Sequence, residues 1–300
     1  MAVAVHSERL RTLVDEHAEV ERVATGFTFT EGPIWMPDGS LHFSDMPADK
    51  RRRWHPDEGV TVLRDPSNKC NGMTRDDDGN LIVCEHVTSS VVRESADGGR
   101  ETLATHWGEK ELNAPNDVIV ARDGSILFSD PTYGRMPVFG LERKQELDFQ
   151  GVYRIPAGGG DLELLVDDFE QPNGLCFSPD ESLLYVNDTA RAHIRVFDVG
   201  PGHRLSNGRL FAEGIGDGVI EHGVVDGMKM DELGNVYVTG PEGVWVYGSD
   251  GEQLGVIKVP EGVGNVNWGD RDWKSLYIAA STSIYRVRMQ VAGNRLGYMH

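Results

Sequence analysis

Six short stretches of the chain each open with a side chain that carries an oxygen donor: Glu31, Asn71, Asn116, Asn173, Asp226 and Asn265. Each opening leads into a short apolar stretch, a turn rich in Asp and Gly, and a second apolar stretch. The first runs Glu31-Gly-Pro-Ile-Trp-Met-Pro-Asp-Gly-Ser-Leu-His-Phe-Ser-Asp45. Side chains of one kind at one repeat position can meet only if the fold is circular. Carboxylates and amide carbonyls without His or Cys form a hard oxygen site, suited to Ca²⁺, Mg²⁺ or Mn²⁺ rather than structural Zn²⁺. Among the six openings only Glu31 and Asp226 carry charge, enough to balance one dication. Two such anions about 4 Å apart repel by about 4 kcal/mol at an effective dielectric of 20, and a dication between them converts that to attraction.

A plainer reading competes. Asn or Asp before Gly commonly forms a turn by bonding its own backbone. Turn formation, however, does not require six such residues at one repeat position. The position 14 or 15 residues after each opening returns to the same end of the hairpin: Asp45, Glu85, Asp130, Asp188, Gly240 and Ala280. The four acids form a second tier. Ser-Asp at a strand end often bonds local amides, so Asp45, Asp130 and Asp188 are read first as structural. His86, next to Glu85, could reach a substrate at the same mouth, while His222 precedes Asp226 by four residues.

The elements that position these residues follow from their spacing. The second residues of the repeats are 32, 72, 117, 174, 227 and 266, at intervals of 40, 45, 57, 53 and 39. A period of this size with β-branched and aromatic segments, such as Val236-Tyr-Val-Thr, predicts an all-β, six-bladed β-propeller with four-stranded antiparallel blades around a central channel. Each repeat core reads as a hairpin turning at Asp-Gly. Residues 19–25 are placed to pair with Ser283 to Arg288 and close the ring, which removes the open sheet edges. Residues 1–18 are an N-terminal extension in which Leu10, Leu13 and Val14 suggest a short helix over Ser7 to His17; residues 19–300 form the single propeller domain. Residues 131–150 lack a strand pattern and read as either a lid or a solvated loop.

The remaining features exclude several classes. A net charge of −19 disfavours nucleic acid as a partner, and the basic run Lys50-Arg51-Arg52-Arg53 reads as a solvated turn. Cys70, Cys84 and Cys176 show no CxxC spacing and fit buried thiols in a reducing compartment. The first residues are too short an apolar run for a signal peptide and no stretch approaches a membrane span, so a cytoplasmic protein is expected. There is no G-x-S-x-G elbow, no H-E-x-x-H, and no G-x-G-x-x-G between strand and helix. Oligomeric state is not legible.

Glu31-Gly-Pro-Ile-Trp, Pro115-Asn-Asp-Val, Asn173-Gly-Leu-Cys-Phe-Ser-Pro-Asp, Asp226-Gly-Met-Lys-Met-Asp and Leu276-Tyr-Ile-Ala-Ala-Ser-Thr-Ser-Ile-Tyr-Arg resemble the senescence marker protein / gluconolactonase / luciferin-regenerating-enzyme family. The match runs from about residue 19 to 289, and Asn71-Gly-Met-Thr with Cys84-Glu-His is similar to its bacterial gluconolactonase branch. The resemblance implies a six-bladed propeller holding one divalent cation, with Glu31, Asn173 and Asp226 as ligands and Asn116 beside the metal, touching metal or substrate. Ca²⁺ is expected first, with Mg²⁺, Mn²⁺, Zn²⁺ or Fe²⁺ as alternatives. Animal members carry an Arg two residues before that Asn; here the position is Ala114, so the substrate contacts must differ.

The reading that follows is hydrolysis of a lactone, a sugar lactone such as gluconolactone. The cation would polarise the carbonyl and Asp226 would act as base. Asp45, Glu85 and Asp130 are the other candidates for the proton. Asn71, Asn116, His86 and Glu85 would contact the substrate. The alternatives are hydrolysis of another ester or a phosphotriester, a non-catalytic propeller that binds metal or a partner, and strictosidine-synthase-like chemistry, which needs a catalytic Glu rather than a metal.

Overall fold

Each repeat folds into the two innermost strands of a blade. In the first, Thr30–Trp35 pairs antiparallel with Leu41–Asp45, placing Thr30 opposite Asp45. The turn between them is set by Asp38, whose carboxylate accepts from Ser40 N at 3.0 Å, and by Gly39 at φ +81. Lys50–His55 and Gly59–Arg64 complete the sheet. The computed structural model, which describes residues 2–299, repeats this plan in six sheets, giving the six-bladed β-propeller expected from the spacing.

The innermost strands are Thr30–Trp35, Cys70–Arg75, Val118–Val120, Pro172–Phe177, Met228–Met230 and Val263–Gly269. They are buried along their whole length because sheets pack on both of their faces. Between blades lie large apolar side chains without solvent contact, among them Phe43, Phe128, Tyr153, Tyr237 and Tyr277. The ring closes as the sequence indicates. Val20–Thr25 pairs with Ser283–Arg288, with Val20 opposite Val287 and Thr25 opposite Ser283. Strands from the two ends of the chain thus share one sheet.

The repeated glycine does something other than turn. Asn71-Gly72 and Asn173-Gly174 lie inside strands. Gly72 N donates to Asn116 O at 2.8 Å, Gly174 N to Asp226 O at 3.1 Å, and Gly227 N to Gly264 O at 2.8 Å. A Cβ on Gly72 would sit 2.5 Å from Asn116 O and 2.7 Å from Asp117 Cα. The glycine therefore lets neighbouring inner strands approach and hydrogen-bond directly, which fixes each opening residue relative to the next.

Other expectations fare unevenly. The Lys50–Arg53 run is a strand, not a turn. Its side chains pair with Asp65, Glu94, Asp45, and Asp38 with Glu58 respectively. The three cysteines are buried and free. In the first residues, Val3–Val5 joins the sheet of the fifth blade as a fifth strand, a feature absent from the sequence reading. Leu10, Leu13 and Val14 are buried as their spacing suggests, but the helix is a short 3-10 segment, Glu8–Thr12. Ser7 makes no side-chain cap there, and so few residues cannot hold an α-helix by themselves. At the other end, Leu296 and Met299 line a small cavity together with Ile119, Phe177, Met230 and Trp268, from four different blades. They cover the end of the channel away from the six openings. Among the described residues no helix is long and apolar enough to cross a membrane.

Candidate active site

The ring brings five of the six openings to one cavity. Glu31, Asn71, Asn116, Asn173 and Asp226 line this one space. Glu31, Asn71, Asn116 and Asn173 are buried, and Asp226 keeps partial exposure. Asn265 stands behind Glu31 and donates to its Oε2 at 2.9 Å. That oxygen also accepts from Gly32 N at 2.7 Å, which leaves Oε1 buried without a partner.

Two amides are turned toward the cavity by hydrogen-bond chains. His86 Nδ1 lies 2.8 Å from the Phe139 carbonyl oxygen, which can only accept, so the proton sits on Nδ1. Nε2 is then an acceptor, and Asn71 Nδ2 donates to it at 3.2 Å. Asn71 Oδ1 is left buried and unpaired. In the same way the Thr189 hydroxyl donates to Val225 O at 2.7 Å and accepts from Asn173 Nδ2 at 3.1 Å. Asn173 Oδ1 is likewise buried and unpaired. Buried oxygens without donors are rare, because each carries a desolvation penalty. Glu31 Oε1, Asn71 Oδ1 and Asn173 Oδ1 all belong to residues of one cavity, where a bound cation and a substrate would satisfy them.

The charges support the same conclusion. Beneath the openings, buried Asp117 pairs with Lys229 at 3.4 Å, and its other oxygen accepts from Val118 N. With every carboxyl ionised, Glu31, Asp226 and Asp117 with Lys229 sum to two negative charges. Burial pushes the Glu31 carboxyl up to about 7; Asn265 opposes that shift and Asp117 adds to it. Burial, followed by the charge of Glu31, raises Asp226 well above the usual carboxylate range. Burial lowers His86 to about 4, so its ring is neutral at ordinary pH. Among the described residues no three His, Cys, Asp or Glu side chains are grouped as a metal site. The donor set consists instead of two carboxylates and amide oxygens, which fits a hard dication.

The second tier is occupied elsewhere. Asp45 accepts from Thr28 N and Arg52, Asp130 from Asn113 N and Ala114 N, and Asp188 from Glu170 N and Gln171 N. Each holds the loop that leads to its own inner strand. Glu85 was expected at the substrate, but the structure sets it outside the cavity lining. Its oxygens are bound by Asn68, Thr88 and Arg100. His222 pairs with Asp217 at the surface. Residues 131–150 form part of the cavity wall through Tyr133 and Phe139. They are held by Arg135 to Asn113 O at 2.9 Å and by Lys69 to Val138 O at 2.7 Å.

Sequence reasoning passed over Asp117, Lys229, Thr189, Tyr133 and Phe139. Asp117 and Lys229 stand next to or three after a repeat opening, and opposite charges in a channel strand were the signal available. Ala114, which replaces the Arg of animal members, is fully buried, and Gly134 packs close to it.

Known proteins share this sequence pattern and fold. The family model described as the SMP-30/Gluconolactonase/LRE-like region matches residues 29–282. A gluconolactonase of Zymomonas mobilis is 31% identical over 309 residues, spanning 96% of this chain and 86% of that protein. A Xanthomonas campestris protein, described as a gluconolactonase important in glucose secondary metabolic pathways, has a solved structure that superposes with a TM-score of 0.87. It is 33% identical and covers 96% of this chain and 94% of its own. Regucalcin from Agrobacterium tumefaciens, described as a calcium-binding protein, shares the fold with a TM-score of 0.74 at 18% identity, over 93% of this chain and 98% of its own.

Proposed function

The chain belongs to the SMP-30/gluconolactonase/LRE-like family, and from that premise we propose that it is a lactonase that opens its substrate with the help of one divalent cation. The observation that carries the reading is the convergence of unpaired oxygens, Glu31 Oε1 and Asn173 Oδ1, beside the partly exposed carboxylate of Asp226. Glu31, Asn173 and Asp226 would hold the cation, with Asn116 beside it. Calcium suits this donor set best. When bound, a dication stabilises negative charge developing on the lactone carbonyl oxygen.

The protein's own groups account for the rest. Asp226 takes the proton of the attacking water and returns it to the ring oxygen as the C–O bond breaks. Asp226 keeps partial exposure, so an attacking water can reach it. Asn71 and Asn116 present amides to the substrate, and His86 holds the Asn71 amide in one orientation. Thr189 does the same for Asn173.

Asp226→Asn tests this reading. The substitution keeps size and removes the charge and the base. Lactone turnover is expected to fall by about 10²-fold or more, with the circular dichroism of the folded protein retained. Turnover within a few-fold of the parent would remove Asp226 from the mechanism.

A further inference from the structure

We infer that the lactone accepted here carries an apolar arm on its ring, an alkyl or aryl substituent, in place of a full set of hydroxyls. The inference rests on the lactonase reading and narrows it. Its first ground is the shortage of polar partners. Both nitrogens of His86 are engaged, to Phe139 O and to Asn71. The Thr189 hydroxyl is used twice, and the Asn173 amide nitrogen is bound to it. Glu31, Asn173 and Asp226 are committed to the cation. What remains for substrate hydroxyls is Asn71 Oδ1, the Asn116 amide and the Tyr133 hydroxyl, and among the described residues no Lys or Arg side chain lines the cavity.

The rest of the wall is carbon. Phe29, Met46, Phe139, Ile220 and Val224 face the same space. A ring with a hydroxyl on most of its carbons would set several of them against these side chains without partners, and each such loss lowers affinity by about tenfold. An apolar substituent meets no such penalty there.

The second ground is outside the cavity. Among the described residues, five of the ten exposed large hydrophobic side chains fall on two loops: Met136, Val138 and Leu141 on one, Val219 and Ile220 on the other. The same loops supply Phe139 and Ile220 to the cavity wall. The two loops that wall the cavity thus carry half of the exposed large apolar side chains among the described residues. Exposed apolar side chains gathered on the loops of one cavity mark a binding surface.

The test is a comparison of three six-membered lactones with the whole protein in calcium chloride: unsubstituted δ-valerolactone, δ-decanolactone with its pentyl arm, and glucono-δ-lactone. Each kcat/KM is normalised to the lactone's own uncatalysed hydrolysis. Burying a methylene is worth about fourfold, so three buried methylenes give the pentyl lactone an advantage of about 60-fold over the bare ring. Glucono-δ-lactone is expected below both. Ile220→Asn should cut the pentyl advantage by about fourfold or more. As a readout free of turnover, 6-pentylpiperidin-2-one, a lactam that resists opening, should bind more tightly than piperidin-2-one in calorimetry by a similar factor. Preference for glucono-δ-lactone, or equal binding of the two lactams, overturns the inference and leaves the lactonase reading standing. Hydrolysis of none of the three lactones overturns both.

Discussion

Gly72→Ala adds a single methyl group and should disturb both the ring and its site. The φ of Gly72 is outside the left-handed region, so alanine can adopt the backbone without strain. In open space the change would slightly stabilise the protein by restricting the unfolded chain. Here the added Cβ would lie 2.5 Å from Asn116 O, 2.6 Å from an Asp117 carboxylate oxygen and 2.7 Å from Asp117 Cα. Ordinary contact begins near 3.4 Å, so the second and third blades must part by about 1 Å. Overpacking of this kind costs about 1–3 kcal/mol. Loss of the Gly72 N to Asn116 O bond adds about 1 kcal/mol, for a total of about 2–4 kcal/mol. The same displacement moves Asn116 and Asp117 relative to Glu31 and Asp226, and a misplacement of about 1 Å in an active site can reduce turnover about 10²-fold. Urea unfolding gives the first quantity and lactone hydrolysis the second. Gly262→Ala is the control: its Cβ would meet only Ser281 Oγ at 3.4 Å, and its φ is not left-handed. Gly72→Ala within 0.5 kcal/mol of that control, in the sense of a roughly neutral surface change, would refute the assignment of the repeated glycine to blade contact.

Three further outcomes follow from the same site. Lys229→Met leaves buried Asp117 without its counter-charge and should destabilise the protein by about 3–5 kcal/mol in urea unfolding, most of it regained in the Asp117→Asn/Lys229→Met double variant. Thr189→Val frees the Asn173 amide from its fixed orientation. Calcium affinity measured by calorimetry should drop about 10- to 100-fold, as for other groups that orient a metal ligand. His86 supplies a pH dependence: its folded value of about 4 lies below the unfolded 6.5, so the unfolded chain binds the extra proton between these values. Stability present above pH 6.5 is lost as pH falls toward 4, by about 3 kcal/mol at 1.36 kcal/mol per unit. The stability profile of His86→Gln should be flatter than the parent's across that window.

The ring was legible because its evidence is periodic. A six-fold recurrence of polar opening, hairpin and Asp-Gly turn constrains the topology, and the closing pair Val20–Thr25 with Ser283–Arg288 follows from a ring having no edges. Convergence of Glu31, Asn71, Asn116, Asn173 and Asp226 follows from the same symmetry. What the repeat could not convey is how each position is used. Glu85 and Asp130 occupy equivalent positions of their repeats, and Arg100, Asn68 and Thr88 claim Glu85 where backbone amides claim Asp130. Those partners are distant or irregular in sequence. The competing turn reading of the Asn-Gly pairs fails for a related reason. Their preference for turns is a property of two residues, whereas the contact of Gly72 with Asn116 spans two blades. Tyr133 and Phe139 come from a loop without periodicity, so nothing in the pattern assigned them to the cavity. The first residues likewise carried a clear apolar face but no sign that Val3–Val5 would extend a sheet.

The central claim is that Glu31, Asn173 and Asp226 form one cation site on which lactone opening depends. It is tested most directly by stripping the protein with chelator, verifying the loss by elemental analysis, and titrating calcium back while recording bound metal and lactone turnover together. The expected result is one cation per chain, turnover that rises in proportion to occupancy, and loss of both in Glu31→Gln with the fold retained. Full turnover in protein shown to be free of metal would contradict it.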